Sequence, residues 1–174
     1  QRRPAQSSAQ PTEEEADARV VVVASLLDNL PNMAGLVRTT EALLGPEGEV
    51  TLHSGVVLTD PNFLKVSVAA EKAGRVLVVP QGPRLLEFLR EKRAEGFSVV
   101  ALEQTSTSEL LTPETRLPER FVLLVGNEQT GLPVWLVQSG FVSHFYELPL
   151  QGRVGSLNAH IATSMLLWHY RLWR

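Results

Sequence analysis

Three short stretches of this 174-residue chain carry chemically capable residue types where a plain connection would need only a turn. Asp28 to Thr40 reads D-N-L-P-N-M-A-G-L-V-R-T-T, which sets Asn32, Gly35 and Arg38 three residues apart. Gly126 to Pro133 reads G-N-E-Q-T-G-L-P, and Leu148 to Asn158 reads L-P-L-Q-G-R-V-G-S-L-N. A guanidinium is a fixed cation that can grip phosphate in a bidentate way or steady a developing negative charge. Asn, Ser and Glu are hydrogen-bonding groups that can aim such a cation. Glycine lets backbone approach a bound molecule. Taken singly, each stretch is also explained as a loop using Gly and Asn for turns and caps. Two nucleotide motifs are excluded. Gly126 and Gly131 have the gap of a phosphate-binding loop, but Leu132 stands where that loop needs Lys. No G-x-G-x-x-G follows any strand candidate, so a dinucleotide-binding Rossmann domain is unsupported.

The elements that must position these stretches alternate along the chain. Val20 to Leu27 is a wholly apolar, β-branched run, the mark of a strand covered on both faces. Asn32 to Leu44 has helical character, with Met33, Leu36, Val37, Leu43 and Leu44 on one broad face. Val56 to Leu58 is a short strand candidate. Asp60-Pro61 opens a helix that Gly74 ends. RVLVVP, FSVVALE, FVLLVG and FVSHFYELPL are strand candidates. PRLLEFLREKRAEG, GLPVWLVQSG and SLNAHIATSMLLWHYRLW are helical. Alternating strands and helices imply an α/β domain with a mostly parallel sheet and helices on both faces. In such sheets ligands sit beyond the carboxyl ends of the strands, where all three stretches fall.

Composition bounds the function. Hydrophobic residues make up 44% and charged residues 20%, which is globular. The net charge of −3 argues against holding nucleic acid by bulk charge alone. With 0 Cys, disulfides, thiolate catalysis and Cys-based metal sites are excluded. The four histidines lack metal-ligand spacing and read as structural or surface, so no metal is expected. Trp135, Trp168 and Trp173 read as core or dimer contacts. No apolar run has the length of a membrane span and no signal peptide opens the chain, so no membrane partner is expected. The sequence reads as intracellular, cytoplasmic or nuclear. Residues 1–19 hold no large apolar side chain and read as a disordered linker, with the domain over 20–174. Gln1 in place of Met reads as a piece of a longer protein with a larger N-terminal region.

Together the three stretches resemble a known motif set. N-x-x-G-x-x-R-T (Asn32, Gly35, Arg38, Thr39), L-V-G-N-E-x-x-G-L (Leu124 to Leu132) and L-P-x-x-G-x-x-x-S-L-N (Leu148 to Asn158) are similar to those of the SpoU, or TrmH, methyltransferases. These are RNA 2′-O-ribose methyltransferases of the SPOUT superfamily. E-Q-T (Glu103 to Thr105), G-N-E and S-L-N-x-H place the likeness nearest the eukaryotic tRNA guanosine enzymes that act on the D-loop. The resemblance runs from about Val20 to the C-terminus. It implies an α/β fold with a deep trefoil knot near the C-terminus, a homodimer with the active site at the subunit interface, and S-adenosyl-L-methionine as cofactor. Gly126, Leu148 and Leu157 would contact the cofactor, largely through backbone, with Leu102 and Glu103 along the same pocket. Arg38 would be the catalytic arginine. Asn32 would orient Arg38 or the ribose, Glu128 would position Arg38 or the ligand, and Ser156 and Asn158 would donate to ribose or phosphate. The residues between Gly45 and Gly55 form a longer, Gly-rich connection than usual there. A catalytically silent RNA-binding or scaffold domain of the same fold, and an rRNA 2′-O-methyltransferase, are the alternatives. An intact Arg38, Glu128, Ser156 and Asn158 set favours the enzyme.

Overall fold

A computed structural model describes residues 18–174; the expected linker lies outside the described residues except for its last two positions. Of these, Arg19 already belongs to the sheet region, donating its N–H to Glu47 and accepting from the Phe121 N–H. Seven strands form one sheet: β1 (Val20–Val23), β2 (Gly48–Leu52), β3 (Arg75–Val78), β4 (Ser98–Leu102), β5 (Glu109–Leu110), β6 (Phe121–Leu124) and β7 (His144–Glu147). Their order is β3-β2-β1-β6-β4-β7-β5, and every pairing is parallel.

The central strands β1 and β6 are buried along their whole length because both sheet faces are covered. Side-chain alternation divides the core into two layers. Val20, Val22, Phe121 and Leu123 face α1 (Leu30–Leu44), α2 (Pro61–Ser67), α3 (Ala70–Ala73) and α6 (Ala159–Leu172). Val21, Val23, Val122 and Leu124 face α4 (Pro83–Ala94) and α5 (Val134–Gln138). The expected α/β architecture with helices on both faces is observed.

Three expectations are corrected. The strand foreseen at Val56 to Leu58 is a 3₁₀ turn over Gly55–Thr59, with Val56 76% exposed. The strand of that region is β2, inside the stretch read as a long connection. It carries Gly48, Glu49 and Thr51, yet all five residues are buried, and Glu49 faces Arg75 across the β2–β3 pairing at 3.6 Å. The helix expected from Asp60 to Gly74 breaks at Val68 and Ala69, both left-handed (φ 52° and 66°), which separates α2 from α3. The two-residue strand β5 carries too short a pattern to be foreseen.

Candidate active site

The order of winding reverses at β1: β2 and β3 follow on one side of it, and β6, β4, β7 and β5 lie on the other. Because β1 and β6 pair in parallel, the loops leaving their carboxyl ends emerge side by side at the end of the sheet where open α/β folds take ligands. The β1 loop ends at Asn29, which caps α1 by accepting from the Asn32 N–H at 3.0 Å. The β6 loop folds back on itself, Asn127 and Gly131 exchanging backbone hydrogen bonds of 3.0 and 2.9 Å. Asn127 fastens this loop to the first by donating to Asp28 Oδ2 at 2.7 Å. Its Oδ1 accepts from the Gln129 and Thr130 N–H groups.

Glu128 projects from the same loop and gathers donors from the first motif. Its Oε1 accepts from Asn32 Nδ2 at 2.9 Å and from the Asn29 N–H at 3.3 Å, and its Oε2 from the Asp28 N–H at 3.3 Å. Burial pushes the Glu128 carboxyl up. It is outweighed by the hydrogen bonds from Asn32 and from the backbone of Glu128, Asp28 and Asn29, so the group sits below its ordinary value. The third motif closes the arrangement: Asn158 Nδ2 donates to Asn32 Oδ1 at 2.9 Å. Asn32, 7% exposed, is thus the hub through which all three stretches meet.

Beside this hub lies a cavity of about 380 Å³ at the carboxyl ends of β4, β6 and β7. Of the residues expected to hold a cofactor, Leu102, Glu103, Gly126, Leu148 and Leu157 all line it, as do Glu128, Ser156 and Asn158. Glu103 accepts from the Leu132 N–H at 3.4 Å and lies against Gly131. The volume falls in the range of small-molecule sites. Leucine surfaces, backbone groups and the carboxylates Glu103, Glu128 and Glu147 suit a cationic ligand with an apolar ring.

Arg38 is not among these lining residues. It is exposed on α1 and fronts a second groove with Gly35, Thr39, Ala42, Leu43, Val66 and His160. The sequence places His160 with the other histidines as structural or surface. Its Nε2 lies 2.9 Å from Thr39 Oγ1, and burial lowers its pKa while the Gly35 backbone acts weakly in the opposite sense. The S-L-N-x-H spacing was the available signal. Asn158 also caps α6, accepting from the His160 and Ile161 N–H groups at 2.9 and 3.2 Å. A Cβ on Gly126 would meet Gly131 C and Leu132 N at 2.8 Å, so Gly126 is required first by the chain's own returning loop. Trp135, Trp168 and Trp173 are all exposed, so none belongs to the core of this chain. Among the described residues no three His, Cys, Asp or Glu side chains converge on a metal-binding position, and no helix is long and apolar enough to cross a membrane.

A parallel sheet with helices on both faces, three loops joined at Asn32 and a cavity beside that junction define a SpoU-type methylase domain. Residues 19–168 match the SpoU rRNA Methylase family, and the chain belongs to it. It is 39% identical over 155 residues to the mouse tRNA (guanosine(18)-2′-O)-methyltransferase TARBP1, covering 88% of this chain and 9% of that protein. It is 29% identical over 153 residues to the tRNA (guanosine(18)-2′-O)-methyltransferase of Saccharomyces cerevisiae, covering 88% of this chain and 10% of that one. The chain therefore spans about a tenth of the length of these two relatives. Among solved structures, an AdoMet-bound rRNA methyltransferase from Sinorhizobium meliloti superposes with a TM-score of 0.69 at 25% identity, covering 92% of this chain and 57% of that one.

Proposed function

We propose that this chain is the methyl-transferring domain of an S-adenosyl-L-methionine-dependent RNA 2′-O-ribose methyltransferase whose substrate is a guanosine in the D-loop of tRNA. Membership of the SpoU family supports the reaction class, and the mouse and yeast relatives support the nucleotide. The observation that carries the reading is the Asn32 hub, which joins all three motifs beside a cavity of suitable size.

The cavity's residues fit the cofactor. Leu102, Leu148 and Leu157 offer an apolar bed, backbone of the 126–131 loop offers donors and acceptors, and Glu103 offers a carboxylate to an ammonium. When bound, S-adenosylmethionine supplies an electrophilic methyl group. The chain's own task is to orient a ribose hydroxyl, exclude water and stabilise the alkoxide as its proton leaves. Arg38 is the cation for that charge and for the adjacent phosphate. A guanidinium keeps its proton in proteins, so its role is electrostatic rather than that of a general base. Asn32, held by Glu128 and Asn158, fixes the first turn of the helix that carries Arg38. Ser156 makes no hydrogen bond among the described residues and is free to meet ribose or phosphate.

A homodimer, the family's C-terminal knot and a larger N-terminal region belong to the same reading, as does action inside the cell. Ile161, Met165, Trp168 and Leu172, between 46% and 61% exposed, form an apolar stripe along α6 that suits a second copy. Calorimetry with S-adenosylhomocysteine, followed by methyl transfer to a panel of tRNAs and rRNA fragments, tests the proposal. Binding together with 2′-O-methylation of a D-loop guanosine is expected. Binding with transfer only to rRNA would replace the substrate, and binding without transfer to any RNA would support a silent RNA-binding domain.

A further inference from the structure

The helix that carries the first motif and the helix that follows the third are pinned to each other twice. At one end Asn158 donates to Asn32. At the other, His160 Nε2 meets the Thr39 hydroxyl at 2.9 Å. Asn32, Gly35 and Thr39 stand three and four residues apart, so they share one face of α1. The two pins are seven residues, or about 10 Å, apart along that face. Between them the imidazole lies directly on the helix backbone: a Cβ on Gly35 would fall 2.5 Å from His160 Nδ1. Ser164, one turn further along α6, donates to the His160 carbonyl at 2.7 Å and reaches Thr39 Oγ1 at 3.5 Å.

Arg38 sits beside the second pin. It follows Gly35 by three residues and precedes Thr39, and it fronts the same groove as His160. Among the described residues no ion pair or hydrogen bond holds its guanidinium. The direction in which Arg38 leaves the protein is therefore set by the rotation of α1, and that rotation is set against α6 by the two pins.

We infer that His160 is a positioning residue for Arg38, acting through Thr39 and the close approach at Gly35. The tautomer decides which partner donates in the contact with Thr39. With Nδ1 turned to the Gly35 backbone and carrying the proton, Nε2 is left as the acceptor for the Thr39 hydroxyl. A single pin at Asn32 would let the far end of the turn swing, and a displacement of about 1 Å at a reacting group can cost on the order of a hundredfold in rate. The role rests on the methyltransferase reading above.

The experiment separates the two. S-adenosylhomocysteine affinity and single-turnover transfer to saturating tRNA are measured for the wild-type chain, His160→Ala, His160→Gln, Thr39→Val and the double variant His160→Ala/Thr39→Val. Gln places an acceptor near the position of Nε2. The expected result is a transfer rate lowered about tenfold or more in His160→Ala and Thr39→Val, with cofactor affinity within about twofold of wild type. His160→Gln should recover most of the rate, and the double variant should be no slower than either single one, because both remove the same link. In ¹⁵N-histidine-labelled wild-type chain the His160 Nε2 resonance should report a hydrogen-bonded acceptor, and Thr39→Val should shift it. Additive losses, equal losses of affinity and rate, no rescue by Gln, or an Nε2 resonance indifferent to Thr39 overturn the positioning role. A wild-type chain that neither binds S-adenosylhomocysteine nor transfers methyl overturns the methyltransferase reading, and the role with it.

Discussion

Gly35→Ala sets two opposing effects against each other at one atom. Gly35 lies inside α1, where alanine is the better helix former by about 0.8–1 kcal/mol. On an open helix face the substitution would stabilise the protein by that amount. Here the new methyl would stand 2.5, 2.6 and 2.9 Å from His160 Nδ1, Cε1 and Cγ, all well inside contact distance. The ring cannot tilt away without leaving Thr39. Overpacking of this kind costs about 1–3 kcal/mol, and the lost hydrogen bond about 0.5–1.5 kcal/mol more. The net expectation is a loss of about 1–3 kcal/mol. At roughly 2–4 °C per kcal/mol for a chain of this size, that is a fall in Tm of about 2–12 °C. Urea and thermal unfolding at neutral pH provide the assay, with Gly35→Ala/His160→Ala as control, since deleting the ring removes the clash and should return stability relative to Gly35→Ala alone. A Gly35→Ala protein as stable as wild type, or more so, would falsify the claim that glycine is there to admit the imidazole.

Arg38→Ala should lower methyl transfer by about two to three orders of magnitude while leaving S-adenosylhomocysteine affinity nearly unchanged, as single-turnover kinetics and calorimetry would show. Asn32→Ala removes the side-chain donor to Glu128, so the Glu128 carboxyl should titrate at higher pH than in wild type when followed by carbon-detected NMR. For His160 the folded value lies below the unfolded one, so its contribution is fully present above about pH 6.5 and lost as pH falls through the lowered value. Wild type should therefore lose more stability than His160→Gln between about pH 7.5 and 5. With a net charge of −3, the chain alone should bind tRNA weakly, with Kd near or above about 10 μM at about 150 mM salt. Submicromolar, tRNA-selective binding in a fluorescence titration would show a stronger RNA surface than the charge allows.

How much of this could be read beforehand depended on whether the signal was local. Val20 to Val23 and Phe121 to Leu124 declare themselves because a strand buried on both faces needs no alternation. The strand over Gly48–Leu52 does not, since its buried Glu49 makes sense only once Arg75 stands beside it. Nothing in a β-branched Val68 announces a left-handed residue, so the break between α2 and α3 was hidden. The three chemically rich stretches were legible by residue type, and Asn158 and Ser156 both had the chemistry of a cap. Which of them caps α6 was decided by where the helix begins. The links among the stretches were beyond local reading. Asn32 meets Glu128 across 96 residues of chain and Asn158 across 126, and spacing alone says nothing about such meetings.

The parallel order of the sheet has a consequence for how the protein comes into being. Val20 in β1 is paired with Phe121 in β6, so the two most buried strands cannot meet until some hundred residues between them exist. Closing such long loops before their contacts reward the chain makes folding slow. During synthesis β1 and β2 can pair early, leaving the far edge of β1, a row of four valines, unpaired until Phe121–Leu124 leaves the ribosome. The hub at Asn32 comes later still, because Asn158 must follow. A polypeptide halted a few residues before that asparagine could hold its whole sheet and still lack the junction on which its chemistry is proposed to depend.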